Sequence, residues 1–244
     1  MYLIDFPDPR THQFSEWALF GEYFYKAHDI VSFGGPPTVE NLRNAYRKGI
    51  FPWHIDGIPL PWCCPEKRAI IEFTELRVPR SLAKEQRKEL FTFTIDRAFK
   101  DVIETCASIR RAHEKGTWIR PDYIEGFIQL HREGMAHSVE AWDSDGNLAG
   151  GLFGVDAGGV FSGESMFYRA PNASKLAVLF LIDHLKARGS TWLDTEVITP
   201  HFKALGAKEI PRAVFLDKLE ATQKLGLKLF RFWIKGSLEQ NERS

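Results

Sequence analysis

Asp194 and Glu196 occupy alternate positions of the run Thr191 to Val197, which reads as a β-strand, so both fall on one face with Trp192 and Ile198. A rise of about 3.3 Å per residue sets the two carboxyls roughly 6–7 Å apart. Partly buried at that separation, two acids do not ionise independently, and the pKa of one rises. Such a pair transfers protons or holds a cation; the alternative is a solvated sheet face with two acids and no task. Thr199-Pro200-His201 follows, a helix start whose positive dipole end favours the charged form of nearby carboxylates. A third acid, Glu164, lies among apolar and small residues in Gly163-Glu164-Ser165-Met166-Phe167. A carboxylate in such surroundings costs stability without a partner, which points to a pocket that uses its charge or to a satisfied structural acid. In a regular strand Ser162, Glu164 and Met166 share a face and Phe161 points away, unless Gly163 introduces a bulge.

Trp53 and Trp118 flank turn-like sequences. Exposed there, each would stack on a nucleic-acid base for about 1–3 kcal/mol; buried, they would belong to the core. Arg77, Arg80, Lys84, Arg87 and Lys88 form one basic cluster and Arg110, Arg111 and Lys115 a second. Each suits a solvated helix face, and the two together, with tryptophans between, suit phosphates. The chain has no GxxxxGK[ST] loop, no GxGxxG after a strand and no HExxH, and Ser165 and Ser174 lack a nucleophile-elbow context. Nucleotide hydrolysis, dinucleotide chemistry, a resident metal and a serine nucleophile all lose support, and no cofactor is expected. The vicinal Cys63-Cys64 pair has no nearby His to mark an activated thiol.

The elements that hold these residues alternate in type. Thr38 is a good N-cap for a helix with Leu42, Ala45 and Tyr46 on one face and Gly49 at its end. Proline-punctuated sequence from Pro59 to Pro65 leads to a soft boundary near residue 68, giving a small N-terminal α/β unit (1–68) and a main domain (69–244). Phe91 to Ile95 reads as a strand and Asp96 as the cap of a helix carrying Phe99, Val102, Ile103 and Cys106. Pro121 opens another helix, with Ile124, Phe127 and Ile128 inward and Gly134 as its stop. Three successive antiparallel strands are predicted over 136–142, 147–155 and 159–167, joined by Asp145-Gly146 and Gly158-Gly159 turns. A helix over 173–188, the acidic strand, a helix over 211–224 and a closing strand from Leu229 to Ile234 complete an α+β pattern with a mostly antiparallel central sheet.

Bulk properties restrict the partners. The 244 residues carry a formal net charge of zero, so contact with nucleic acid must use a local patch rather than a global field. Three cysteines give no disulfide framework and fit a reducing compartment. No leader pattern opens the chain and no stretch reaches membrane-spanning length, so a cytoplasmic protein with no membrane partner is expected.

From about residue 30 to 220 the chain resembles the leucyl/phenylalanyl-tRNA–protein transferase family. The blocks that carry the resemblance run in order: Asn44 through Gly49-Ile50-Phe51-Pro52-Trp53; Gly116-Thr117-Trp118-Ile119; Leu130-His131 and Ala136 to Glu140; Gly150-Gly151-Leu152-Phe153-Gly154; Gly163 to Phe167; Ala173-Ser174-Lys175; Leu205-Gly206-Ala207; and Glu209-Ile210-Pro211-Arg212. The resemblance implies a main domain of the acyl-CoA N-acyltransferase (GNAT-like) type. It also implies transfer of Leu or Phe, with relaxed tolerance for Met, from aminoacyl-tRNA to the N-terminal amine of proteins beginning with Arg or Lys, marking them for degradation. Carried over by position, Trp53 and Trp118 sandwich the terminal adenine. Leu152, Phe161, Met166, Leu181 and Leu193 line a pocket for the transferred side chain. Asp194 is the catalytic carboxylate, assisted by Glu196, and Glu164 shapes the acceptor or ester site. The chain departs from the family pattern at Glu196, where Gln is usual, at Trp62-Cys63-Cys64-Pro65, where Trp-Trp-Ser-Pro is usual, and at Tyr168, where Ser is usual. The first departure bears on proton transfer or acceptor preference, the others on the tRNA or side-chain pocket. A monomer is expected. The rivals are an acyl-CoA-dependent N-acetyltransferase, which lacks its glycine-rich pyrophosphate turn here, and a non-catalytic tRNA-binding module on the same scaffold.

Overall fold

The computed structural model describes residues 3–12, 14, 17–20, 23–109 and 118–230, with 17–20 and 23–26 as backbone alone. In chain order the elements are β1 (Trp17–Phe20), β2 (Tyr23–Lys26), β3 (Ile30–Phe33), α1 (Val39–Arg47), β4 (Phe51–Pro52), β5 (Pro61–Cys63), β6 (Lys67–Glu72), α2 (Arg80–Gln86), β7 (Thr92–Ile95), α3 (Phe99–Ser108) and α4 (Pro121–Arg132). They continue with β8 (Ala136–Trp142), β9 (Leu148–Asp156), β10 (Phe161–Tyr168), α5 (Ala173–Lys186), β11 (Trp192–Glu196), α6 (Pro200–Ala204), β12 (Lys208–Pro211) and α7 (Arg212–Gln223). A seven-stranded sheet in the order β12-β6-β11-β10-β9-β8-β7 is the frame. Its pairings are antiparallel except between β10 and β11, which run parallel and meet at Ser162 and Asp194.

Hydrophobic side chains divide between the two faces. Phe99, Val102, Ile103, Phe127, Leu130, Phe215 and Leu219 of α3, α4 and α7 fill one side, and Leu42, Ala45 and Tyr46 of α1 join the same cluster. Leu82 of α2 and the long apolar side of α5, from Ala173 to Leu185, fill the other. Helix α5 lies close on β9 because Gly150 has no side chain: a Cβ there would meet Ala173 Cβ at 2.7 Å.

Several predicted signals act as written. Thr38 accepts from the Asn41 N–H to cap α1, Thr199 caps α6 with Pro200 as its first residue, and Pro121 opens α4. Others do not. Helix α3 starts at Phe99 rather than after an Asp96 cap; Asp96 takes a left-handed φ of 60° and its carboxylate accepts from the Ser138 N–H of strand β8. Of the predicted closing strand, residues 231–234 lie outside the described residues, and Leu229 is a buried core residue that belongs to no strand among the described residues. Strands β6 and β12 were not singled out by sequence patterning; β6 pairs with β11 and β12 pairs with β6, completing the sheet beside the acids.

Candidate active site

Two irregularities stand side by side at the parallel seam. The register of β10 against β9 shifts between Gly163 and Ser165, leaving Glu164 in a bulge, and that of β11 against β6 shifts between Asp194 and Glu196. Glu196 has a left-handed φ of 59°, which strains a residue with a β-carbon. Bulges re-aim side chains, and here they break the simple alternation read from sequence. Glu164, Asp194 and Glu196 all line one cavity of about 980 Å3.

Asp194 is buried and fully occupied. Its Oδ1 accepts from Arg68 Nε at 2.8 Å and from the Glu196 amide at 2.9 Å. Its Oδ2 accepts from Arg68 Nη2 at 2.7 Å and Ser162 Oγ at 2.8 Å. Four donors fill the roughly four lone-pair directions of a carboxylate. Arg68 is itself only 1% exposed, held between the rings of Phe51 and Phe215. Burial opposes its charge, but the Asp194 carboxylate outweighs that and holds the guanidinium ionised. The charge balance expected from the start of α6 is thus supplied to Asp194 by Arg68.

The other two acids lack such a cation. Tyr46 Oη, from α1, donates to Glu164 Oε1 at 2.5 Å. Among the described residues the enclosed Oε2 of Glu164 has no hydrogen-bond donor, and the Glu196 carboxyl is within hydrogen-bond reach of the Glu164 carboxyl. Burial pushes Glu164 up to about 7, against the pull of the Tyr46 and Glu196 hydrogen bonds. Burial, and then the neighbouring Glu164 charge, raise Glu196 well above the usual carboxylate range. Arg68 Nη2 comes no nearer to Glu196 than 3.9 Å.

The rest of the cavity is apolar. Leu152, Phe161, Met166, Leu181 and Leu193 all line it, with Val178 and Phe202 beside them. Trp53 and Trp118 also line it, half-buried, with ring centroids 6.1 Å apart and planes inclined by 16°. A base held between them needs about 7 Å, two carbon contacts of about 3.5 Å each, so the rings would part by about 1 Å. Tyr168 is exposed at the lip.

The sequence profile described as leucyl/phenylalanyl-tRNA protein transferase matches residues 70–220, and that of the transferase's N-terminal domain matches residues 35–66. The chain belongs to the leucyl/phenylalanyl-tRNA–protein transferase family. It is an aminoacyltransferase. Proteins of that name from Desulfatibacillum aliphaticivorans (46% identical, over 81% of this chain and 84% of theirs) and Maridesulfovibrio salexigens (45%, over 78% and 80%) are among its relatives. The one from Chromohalobacter salexigens is 49% identical over 78% of this chain and 74% of its own. A solved structure described as L-PGS from Bacillus licheniformis aligns over 55% of this chain and 47% of its own at TM-score 0.38 and 17% identity, too slight a likeness to bear on the fold.

In this transferase the ten residues expected to form the site thus line one cavity, whereas other candidates fall elsewhere. Cys63 and Cys64 are buried in the core, and burial raises both thiols, which removes them as nucleophiles. Arg110, Arg111 and Lys115 lie outside the described residues, as do Gly116 and Thr117. Asp96, His131 and His137 bring possible metal ligands within 4.8 Å of one another. Both ring nitrogens of His137 already face acceptors, Asp96 Oδ2 at 2.7 Å and the Gly134 carbonyl at 3.1 Å. Sequence reading missed Arg68 and Ser162 as members of the polar cluster and gave Tyr46 only a place on a helix face. A charged residue opening the apolar run Arg68-Ala69-Ile70-Ile71 was the available signal for the first. It also missed His201, which borders the cavity and is lowered to about 4 by burial and Lys175, hence neutral near pH 7.

Proposed function

We propose that this chain transfers Leu or Phe, and with lower selectivity Met, from aminoacyl-tRNA to the N-terminal α-amino group of acceptor proteins that begin with Arg or Lys, creating a degradation signal in the cytoplasm. The single observation that carries this reading is the composition of one cavity, which combines a near-parallel tryptophan pair, an apolar wall and three carboxyls. Trp53 and Trp118 grip the terminal adenine, and Leu152, Phe161, Met166, Leu181 and Leu193 receive the aminoacyl side chain. Residues 69–244 form the GNAT-like catalytic domain and 1–68 a smaller unit that lends it Trp53 and Tyr46. Free, buried thiols suit a reducing compartment, and among the described residues no helix is long and apolar enough to cross a membrane.

The chemistry asks little of the protein. An aminoacyl ester is already activated, so a free amine attacks it without a covalent enzyme intermediate. An α-amino group has a pKa near 7.7–8.0 and arrives largely protonated, so a base must take its proton. Asp194, with its lone pairs committed, acts through Glu196, whose amide and Ser162 contact it fixes, and the proton acceptor belongs to Glu164 and Glu196. Holding ester and amine together supplies much of the remaining rate. An acidic centre also favours a cationic first residue on the acceptor.

The test is a transfer assay with charged Leu-tRNA and peptides that differ only in beginning with Arg, Lys or Ala. Transfer to the Arg and Lys peptides with weak transfer to Ala is expected. Binding of the charged tRNA without transfer to any peptide would overturn the reading and favour a non-catalytic tRNA-binding module.

A further inference from the structure

The polar cluster at the seam holds two buried carboxyls, Asp194 and Glu196, and a half-buried one, Glu164, whose Oε2 is enclosed, against one guanidinium, Arg68, whose Nε and Nη2 are spent on Asp194. Resting on the transfer reading above, we propose that Glu164 and Glu196 hold one proton between them, with Glu164 ionised and Glu196 neutral, and that Tyr46 of α1 is the positioning residue that fixes this assignment.

The hydrogen-bond directions decide which acid keeps the proton. At Glu164 stands a donor: the Tyr46 hydroxyl lies on Oε1 at 2.5 Å, and the Glu196 carboxyl is within hydrogen-bond reach of Glu164. Around Glu196 stand acceptors. Ser162 Oγ has one proton, and giving it to Asp194 at 2.8 Å leaves only lone pairs toward Glu196 Oε1 at 3.2 Å. Arg68, at 3.9 Å, is beyond hydrogen-bond reach. Cys63 on β5 and Tyr123 on α4, which feel these carboxyls, are kept neutral by burial and add no charge; His201, Lys175, His54 and Asp56 line the same cavity, and His201 is neutral near pH 7. A phenol buried at 1% exposure in the core of the N-terminal unit stays protonated and can only favour the ionised form of the acid it touches.

A pair with one proton serves both ends of the reaction. The ammonium gives a proton to the ionised half, leaving the pair doubly protonated and the amine free to attack the ester carbon. As the tetrahedral adduct collapses, the C–O bond to the ribose breaks and the departing oxygen takes a proton from the pair. The new amide nitrogen returns one, and release of a proton to water restores the starting state. The pair begins and ends with one proton, and the net proton released is the one that aminolysis by an ammonium must release.

The sign of the pH dependence follows. Below about 7 Glu164 takes up the second proton, the base is lost and the rate falls. At high pH Glu196 loses its proton and the acid is lost. Tyr46→Phe deletes the donor that favours ionised Glu164, so its acid limb should move up by about one pH unit, and Glu196→Gln should lose the alkaline limb. Isotope-edited infrared spectroscopy of the unliganded protein with labelled glutamate reads the same protons without activity. At about pH 8, where ordinary glutamates are ionised, one neutral carboxyl band is expected in the native protein and none in Glu196→Gln. Tyr46→Phe should take up its second proton at higher pH than the native protein. Absence of the neutral band at that pH, or a Tyr46→Phe variant with uniformly lowered kcat and unmoved limbs, overturns the assignment. Failure of the transfer reading shows separately, as a native protein that transfers nothing while the infrared result stands.

Discussion

Leu152, Phe161, Leu181 and Leu193 are buried in a continuous apolar cluster, each touching neighbours of its own kind, while across the same cavity Asp194 and Arg68 are as deeply buried and depend on one another. The apolar wall gains free energy from every part of its surface removed from water, about 25 cal/mol per Å2. No single contact there is indispensable. The polar centre inverts this: each buried charge is unfavourable alone and acceptable only while its partner stands in place. One half of the site therefore tolerates substitution gradually, and the other fails at single atoms.

The contrast is broken most severely at Arg68. Arg68→Met removes the only cation within hydrogen-bond reach of Asp194 among the described residues and leaves a buried carboxylate with Ser162 and an amide alone. Urea denaturation should report a loss of about 3–5 kcal/mol. Combining it with Asp194→Leu should recover most of that stability, because two apolar groups replace two charges, while transfer stays abolished. A single variant within 0.5 kcal/mol of the native protein, the range of ordinary surface changes, would mean that the pair is not the buried, mutually dependent unit described.

Trp118→Ala comes next and probes the region between the two regimes, where an apolar surface is put to recognition. Losing one face of the adenine grip should raise KM for aminoacyl-tRNA by about 5- to 150-fold, the equivalent of about 1–3 kcal/mol. Because the polar centre is untouched, kcat at saturation should hold. A fall in kcat with unchanged KM would place Trp118 outside the adenine site.

The sequence disclosed these regions unequally, for a physical reason. Phe99, Val102, Ile103 and Cys106 were readable as a buried face because apolar residues at helical spacing announce one locally, as Thr38 and Pro200 announce helix starts. The ten residues that the resemblance singled out all line one cavity. What stayed hidden was partnership across long separations. Arg68 and Asp194 are 126 residues apart, and Tyr46 and Glu164 are 118 apart, so no local pattern marks either pair. Asp96 misled for the same reason: its local signature is a cap, but strand β8, 42 residues on, claims its carboxylate. The bulges at Glu164 and Glu196 likewise depend on the neighbouring strands rather than on their own residues.

The smallest expected effect lies in the wall. Leu193→Val deletes one methylene from a side chain 2% exposed, in a cluster that can relax around it. Stability should fall by about 0.5–1.5 kcal/mol. The space opened should favour the larger aminoacyl side chain, raising the ratio of Phe to Leu transfer by about tenfold at most, since a methylene in an apolar pocket discriminates by only about 1–3 kcal/mol. Competition between charged Leu-tRNA and Phe-tRNA for one Arg-initiated peptide measures the ratio directly. The acid limb of the pH profile should stay where it was, because nothing around Glu164 or Glu196 has changed. A moved limb with an unchanged ratio would show that position 193 acts on the polar centre, and the division between a forgiving wall and an exacting centre would then fail at the residue adjoining Asp194.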